Sequence, residues 1–476
     1  MNRLSLLLAL VVVLMLAAIA GCRKKAEEPV AMDPVAMAPT DAQPAAPAEP
    51  AAAPAADPQR AQPAAGQQAP PPPQPAQTAA APPQAAPQAT QAAKTSGGAD
   101  WPNFRGPNLD GIAPDTGINK DWKSRPPREL WRVNMTDDGY AVPSVADGKV
   151  FIIDHQGSED IVRAIDLNSG QDVWTFRYAD TNQANYGFAR AAPTYAKGKL
   201  YTISRLGMLH CLDAKTGAKL WALDIVNEYG GQRPKWDYSG SVLADGDRLV
   251  LCPGGKTGVV ALDRESGKTL WTGGLPGAPG YAMAVPAKIG GKPQYVCFSA
   301  YGLYAVDKSS GKTLWQFPWP TNADVNAATP LVIGDNVFIT SGYRVGCGMV
   351  KVGGSAPSLA WRNTELQSHF NSPVLYKGHI YGIGDPGVLV CIDPNTGQAL
   401  WKQRGYEKGG LTVVDGVLIA VKGGNGEVTM VSAVPDGFHE LGSVRPLGGQ
   451  SWTPPVVARG KLIIRNTKAL ACLDLM

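Results

Sequence analysis

Five histidines, seven cysteines and a scatter of arginine, asparagine and aromatic residues are the side chains with which this chain could do chemistry. None of the patterns for metal or covalent chemistry is complete. His155, His210, His369, His379 and His439 lack the short spacings that bring two imidazoles to one ion. No Gly-x-Ser-x-Gly segment offers a nucleophile. Gly255-Lys256-Thr257 has the tail of a phosphate loop, but Val250 stands where its first glycine belongs and no helix pattern follows, so it reads as a hairpin turn. No two cysteines are adjacent. Cys211, Cys391 and Cys472 each precede an aspartate by two residues, a slot that Ala164, Ala261 and Ala305 fill elsewhere, and they read as small core residues. Cys252 and Cys297 occupy equivalent strands, where a disulfide is conceivable in an oxidising compartment, while Cys347 has no evident partner. What remains is recognition. Tyr186, Arg190, Arg233, Trp236, Tyr238, Phe370 and Trp452 lie in variable segments between repeats, and aromatic and arginine side chains of this kind dominate binding hot spots. The longest such segment, 226–238, is the strongest single patch.

The elements that must position these residues are written in the repeat itself. Asp166 to Gly170 followed by Val173-Trp174 returns as Asp213 to Gly217 with Leu220-Trp221, Asp263 to Gly267 with Leu270-Trp271, Asp307 to Gly311 with Leu314-Trp315, and Asp393 to Gly397 with Leu400-Trp401. The first four tryptophans are 47, 50 and 44 residues apart, the length of one four-stranded sheet with its turns. Each unit runs from a proline-led apolar stretch through a glycine turn into an alternating strand such as Lys149 to Ile153, then into the Asp turn and the tryptophan strand. In the turn, Asp accepts hydrogen bonds from backbone N–H groups ahead of it and Gly supplies a positive φ. The indoles of Trp131, Trp174, Trp221, Trp271, Trp315, Trp361 and Trp401 read as wedges between neighbouring sheets; truncating one that is fully buried costs about 3–5 kcal/mol. Seven units are complete, although the fifth and seventh lack the Asp turn. The eighth stops at Cys472-Leu473-Asp474 without its last strand, and Arg128 to Val133 carries a Leu-Trp segment with no sheet of its own. The sequence therefore predicts an all-β, eight-bladed propeller of four-stranded antiparallel blades over 101–476, closed by an N-terminal strand that completes the last blade and leaves no open edge.

Residues 1–21 have the charged start, short apolar run and small residues of an export signal, and Ile19-Ala20-Gly21-Cys22 makes Cys22 the expected lipidated first residue of the mature chain. Residues 22–100 are almost wholly Ala, Pro and Gln and form the expected disordered tether, roughly 240 Å long at full polyproline extension. The net charge of +4 is far from a nucleic-acid footprint, so no nucleic-acid partner is expected.

The Ala/Cys-x-Asp-x-x-Ser/Thr-Gly-x-x-Leu-Trp repeat resembles the pyrroloquinoline quinone (PQQ) repeat of quinoprotein-like eight-bladed propellers. Trp101-Pro-Asn-Phe-Arg-Gly-Pro-Asn108 is similar to the opening segment of PQQ-like propellers of planctomycete-type bacteria. The resemblance covers Trp101 to Met476 and includes both quinone dehydrogenases and BamB-type lipoproteins of outer-membrane assembly. It implies a monomeric, membrane-anchored, periplasm-facing scaffold of the bacterial cell envelope that binds envelope proteins without catalysis. Arg23 after Cys22 favours the outer membrane. The alternatives are a PQQ-dependent oxidoreductase and a glycan- or ligand-binding module. A quinone enzyme of this kind would hold PQQ beside calcium with a vicinal disulfide, an acidic base and oxygen ligands. The cysteine pattern does not support that set, and no cofactor is expected.

Overall fold

The computed structural model describes residues 98–181 and 186–476; the expected export signal, Cys22, residues 22–97 of the tether and Asn185 lie outside the described residues. Eight antiparallel sheets follow one another along the chain. Blades 1 to 7 span residues 144–179, 194–224, 243–273, 285–318, 331–363, 374–404 and 411–444. Blade 8 combines 456–474 with the strand Glu129–Asn134, which runs antiparallel to Ala469–Asp474 with Trp131 opposite Cys472. The ring is thus closed by the segment that the repeat left unpaired.

Burial follows the position of each strand in its blade. In blade 1 the second strand, Lys149–Gln156, is buried along nearly its whole length, whereas the outermost, Asp172–Ala179, alternates exposed and half-buried residues. Inner strands bury both faces against neighbouring sheets and outer ones bury only one. No helix among the described residues is long and apolar enough to cross a membrane.

The Asp turn and the tryptophan act as one device across five of the blade junctions. Asp166 Oδ1 accepts from the N–H of Asn168 and Ser169 at 3.1 and 2.8 Å and from the Ser169 hydroxyl at 2.9 Å, and Gly170 closes the turn at φ +74°. Trp131, from the blade before, lies over that glycine and donates its indole N–H to the Leu167 carbonyl at 2.9 Å. The same cover recurs with Trp174 on Gly217, Trp221 on Gly267, Trp271 on Gly311 and Trp361 on Gly397. Glycine is therefore required twice, for its φ and for the indole above it. Hydrogen bonds to the carboxylate also hold Asp166, Asp213 and Asp263 below the ordinary aspartate pKa, and Asp307, which takes the hydroxyls of Ser309 and Ser310, falls to about 2. Where the turn is missing the indole finds another acceptor. Trp315 donates to Gln294 Oε1 of its own blade at 2.7 Å, and Trp401 donates to the Val434 carbonyl at 2.9 Å while meeting Phe438 edge-on.

The segment before the first blade crosses one end of the hub. Trp101, 2% exposed, exchanges backbone hydrogen bonds with Val145 of blade 1, and the Pro102 carbonyl accepts from Tyr195 of blade 2. Arg105 is buried and donates to the Pro373 carbonyl ahead of blade 6 at 2.8 Å. Ile112–Ala113 adds a parallel fifth strand to blade 7, pairing with Val413 and Val414.

Candidate functional site

Every blade sends one residue into the hub from the same place. Three residues before the proline at the start of the innermost strand, or before Val242 and Leu411 where no proline stands, lie Tyr140, Arg190, Ser239, Met283, Ala327, Phe370, Lys408 and Trp452. All eight line a single cavity of about 250 Å³. Phe104, from the segment before the first blade, also lines this cavity, referred to below as the cup.

One side of the cup is a continuous aromatic arc. Tyr140 stacks on Trp452 with ring centroids 5.5 Å apart and planes at 19°, and Phe370 lies 5.6 Å from Trp452 with its plane tilted by 42°. His369 continues the arc at 5.1 Å from Phe370, and Tyr343 meets His369 at 4.5 Å. Trp236 and Tyr281 stand across the cup, 6.2 Å apart.

The charge in the cup is of one sign. No Asp or Glu is among the described residues that line it. Lys408 Nζ stands 4.9 Å over the Trp452 ring, a cation–π contact, and has no carboxylate partner among the described residues. Arg190 donates to the carbonyls of Tyr186, Gly187 and Trp236, and lies 3.5 Å from Asp237 behind the wall. Burial lowers the Arg190 pKa, and Asp237 opposes that. Burial, then the neighbouring Lys408, push His369 down to about 4, so its imidazole is neutral at neutral pH. Its Nδ1 is 3.8 Å from Asp385, beyond hydrogen-bond reach.

A buried polar network fixes the Arg190 side of the wall. Phe188 is stacked on His155 with centroids 3.4 Å apart and lies under Arg205. Arg205 pairs with Asp180 at 2.6 Å and Asp237 at 3.0 Å, and Asp160 accepts from His155 and from the Tyr178 hydroxyl, each at 2.9 Å. His155, Asp160 and Asp180 lie close enough to hold a cation, but the guanidinium of Arg205 already supplies the positive charge there. Burial works against charge on His155, yet the Asp160 carboxylate and Gly157 carbonyl outweigh it and its pKa is raised.

Five of the seven residues expected on a binding face, Tyr186, Arg190, Trp236, Phe370 and Trp452, come together in the cup. Two do not. Tyr238 is buried, its hydroxyl donating to the Pro253 carbonyl at 2.7 Å, and Arg233 is outside the cup, half exposed beside Asp237 at 3.3 Å. Within the 226–238 patch Asp224 caps a short helix, Ile225–Tyr229, and Tyr238 joins Ile225 and Tyr229 in one buried cluster. Sequence reading passed over Phe104, Tyr140, Tyr343 and Lys408. The offset from the innermost-strand proline would have found Tyr140 directly. Cys252 and Cys297 stand as free thiols in hydrogen-bond contact, which together with burial raises the Cys297 pKa.

A calcium-bound quinone asks for carboxylate and other oxygen ligands around the ion. The lining offers Asn371, hydroxyls and two fixed cations but no carboxylate and no cysteine, so these residues do not fit that group.

The sequence profile of the family described as outer membrane protein assembly factor BamB matches residues 158–403, just over half of the chain. The protein is 22% identical over 309 residues to the outer membrane protein assembly factor BamB of Moranella endobia (strain PCIT), covering 62% of this chain and 67% of that one. It is 31% identical over 244 residues to the BamB of Alteromonas naphthalenivorans, covering 46% of this chain and 56% of that one. In three dimensions it resembles the quinohemoprotein alcohol dehydrogenase of Comamonas testosteroni with a TM-score of 0.62 at 14% identity, over 79% of this chain and 80% of that one, a likeness of fold alone. With its repeat, its eight closed blades and this match, the chain belongs to the PQQ-like propeller family of the outer membrane protein assembly factor BamB.

Proposed function

We propose that this protein is a non-catalytic scaffold of the bacterial cell envelope, tethered through Cys22 and residues 22–100, that receives a protein partner of outer-membrane assembly in the cup at its hub. The BamB relatives support the coarse reading of an assembly-type propeller scaffold. The observation that carries the finer one is the inner ring: eight blades give eight different residues to one aromatic, carboxylate-free cavity. Among the described residues that line it, no nucleophile is paired with a base. Gly98, the first described residue, packs against Asp115 and Arg459. Arg459 follows the innermost strand Val456–Ala458, whereas Trp452 and Pro454 of the cup precede it, so Gly98 lies at the end of that strand away from the cup.

The test is site-specific photo-crosslinking in native envelopes, with the probe placed at Trp452 in the cup or at the exposed Leu220 on the outer rim. The expected result is an adduct with an identified outer-membrane assembly protein from the cup alone. Adducts from the rim alone, or from neither position, would overturn the reading. Cys22→Ser is expected to release the chain from the membrane fraction. Stoichiometric uptake of PQQ with calcium and dye reduction by alcohols would replace the scaffold by a quinoprotein oxidoreductase, and binding of glycans without a protein adduct would make it a glycan receptor.

A further inference from the structure

We infer that the cup receives the C-terminal residue of a polypeptide, with its carboxylate at Lys408 and an aromatic last side chain on the arc of Phe370, Trp452 and Tyr140. The inference rests on the scaffold reading and names the chemistry of the partner. Three observations point the same way. The cup is small: its volume of about 250 Å³ admits a residue or so rather than a helix some 10–12 Å across. An internal segment must bring two lengths of chain to so small a space, while a chain end brings one. The charge is complementary to a single anion. Lys408 stands over the arc without an acidic partner, Arg190 adds a second cation whose charge Asp237 shares, and no carboxylate among the described lining residues competes. Finally, Lys408 lies beside the aromatic faces, 4.9 Å over Trp452, so a carboxylate and a ring on the same residue meet their partners together.

A ring and a carboxylate also occur together in a free aromatic acid, and the experiment separates the two sources. The full-length protein is titrated with the hexapeptide Gly-Ser-Gly-Ser-Gly-Phe bearing a free carboxylate, with its C-terminal amide, and with 3-phenylpropanoate, following indole fluorescence and calorimetry. The expected result is that the free acid binds about tenfold more tightly than the amide. Lys408→Gln should erase that difference while leaving the unfolding midpoint in place. Trp452→Ala should weaken both peptides. Equal binding of acid and amide, or a preference that survives Lys408→Gln, would overturn the inference. So would binding of 3-phenylpropanoate as tight as the peptide, which would make the cup a small-molecule site. If neither peptide binds while cup-directed crosslinks still identify an assembly protein, the chain-end inference falls and the scaffold reading stands. If the peptide binds as expected and no such crosslink forms, the scaffold reading falls and the chain-end chemistry stands.

Discussion

The propeller carries two rings of side chains, and they obey opposite rules. On the outer strands the same residue, tryptophan, recurs at Trp131, Trp174, Trp221, Trp271, Trp315, Trp361 and Trp401, and five of these cover the turn glycine of the next blade. At the hub the position recurs just as regularly, but its residue changes from blade to blade, from Tyr140 and Arg190 through Ser239, Met283 and Ala327 to Phe370, Lys408 and Trp452. A junction repeated around a ring has one packing problem and one solution. A cup that receives one ligand, as proposed, has eight sides that must differ. Sameness therefore marks the outer ring as structure, and difference is what the proposed function asks of the inner ring.

The comparison is broken most directly at the seam. Trp131→Ala removes a buried indole and its hydrogen bond to Leu167 where the two ends of the chain meet, and should cost about 3–5 kcal/mol in chemical denaturation. A loss below about 1 kcal/mol would mean that the outer ring is not what holds neighbouring blades. Next comes the glycine under an indole. In Gly311→Ala a Cβ would stand 2.4 Å from the Trp271 ring at φ +73°, whereas Gly148→Ala meets open space at φ +70°. The first should cost about 2–3 kcal/mol and the second about 1 kcal/mol, the backbone strain alone. Equal costs would show that the turn needs glycine for its φ and not for the tryptophan.

The same contrast explains what the sequence made legible. The outer ring could be read because Asp, Gly and Trp return together, and Trp131 could be placed in blade 8 because that blade lacked such a strand. The inner ring could be read only in part, since a position that recurs without its residue leaves no motif. Lys408 was hidden further because blade 7 has Leu411 where most blades have proline. Phe104 reaches the hub from a segment with no strand of its own, and Ile112–Ala113 is too short to show a period of two. Tyr238 is buried, contrary to the expectation, because it packs with Ile225 and Tyr229 and sends its hydroxyl to the Pro253 carbonyl, contacts that no local pattern announces.

Smaller than the seam or the turn is the effect of the network behind the cup. The folded pKa of His155 is raised, so its contribution to stability is fully present below the unfolded value of about 6.5 and is lost as pH rises through the folded value. The protein should therefore lose more stability between pH 6 and pH 8.5 than His155→Gln does, with denaturation midpoints as the measure. His210 and His369, both lowered to about 4, do not change charge in that window. Parallel slopes for the two proteins would detach His155, and the Phe188 stacked on it, from the support of the Arg190 wall.

The smallest expected effect on stability is the sharpest test of the comparison. Lys408 touches the fold through the face of Trp452 and has no ion pair among the described residues, so Lys408→Gln should change stability by no more than about 0.5 kcal/mol. The inner ring predicts that this near-silent change still erases the preference for a free carboxylate, because the side chain faces the cavity and not a neighbouring blade. If instead the variant unfolds as readily as Trp131→Ala, then Lys408 belongs with the tryptophans as a residue that holds blades together. The rule that separates the two rings would then fail at the position where it matters most.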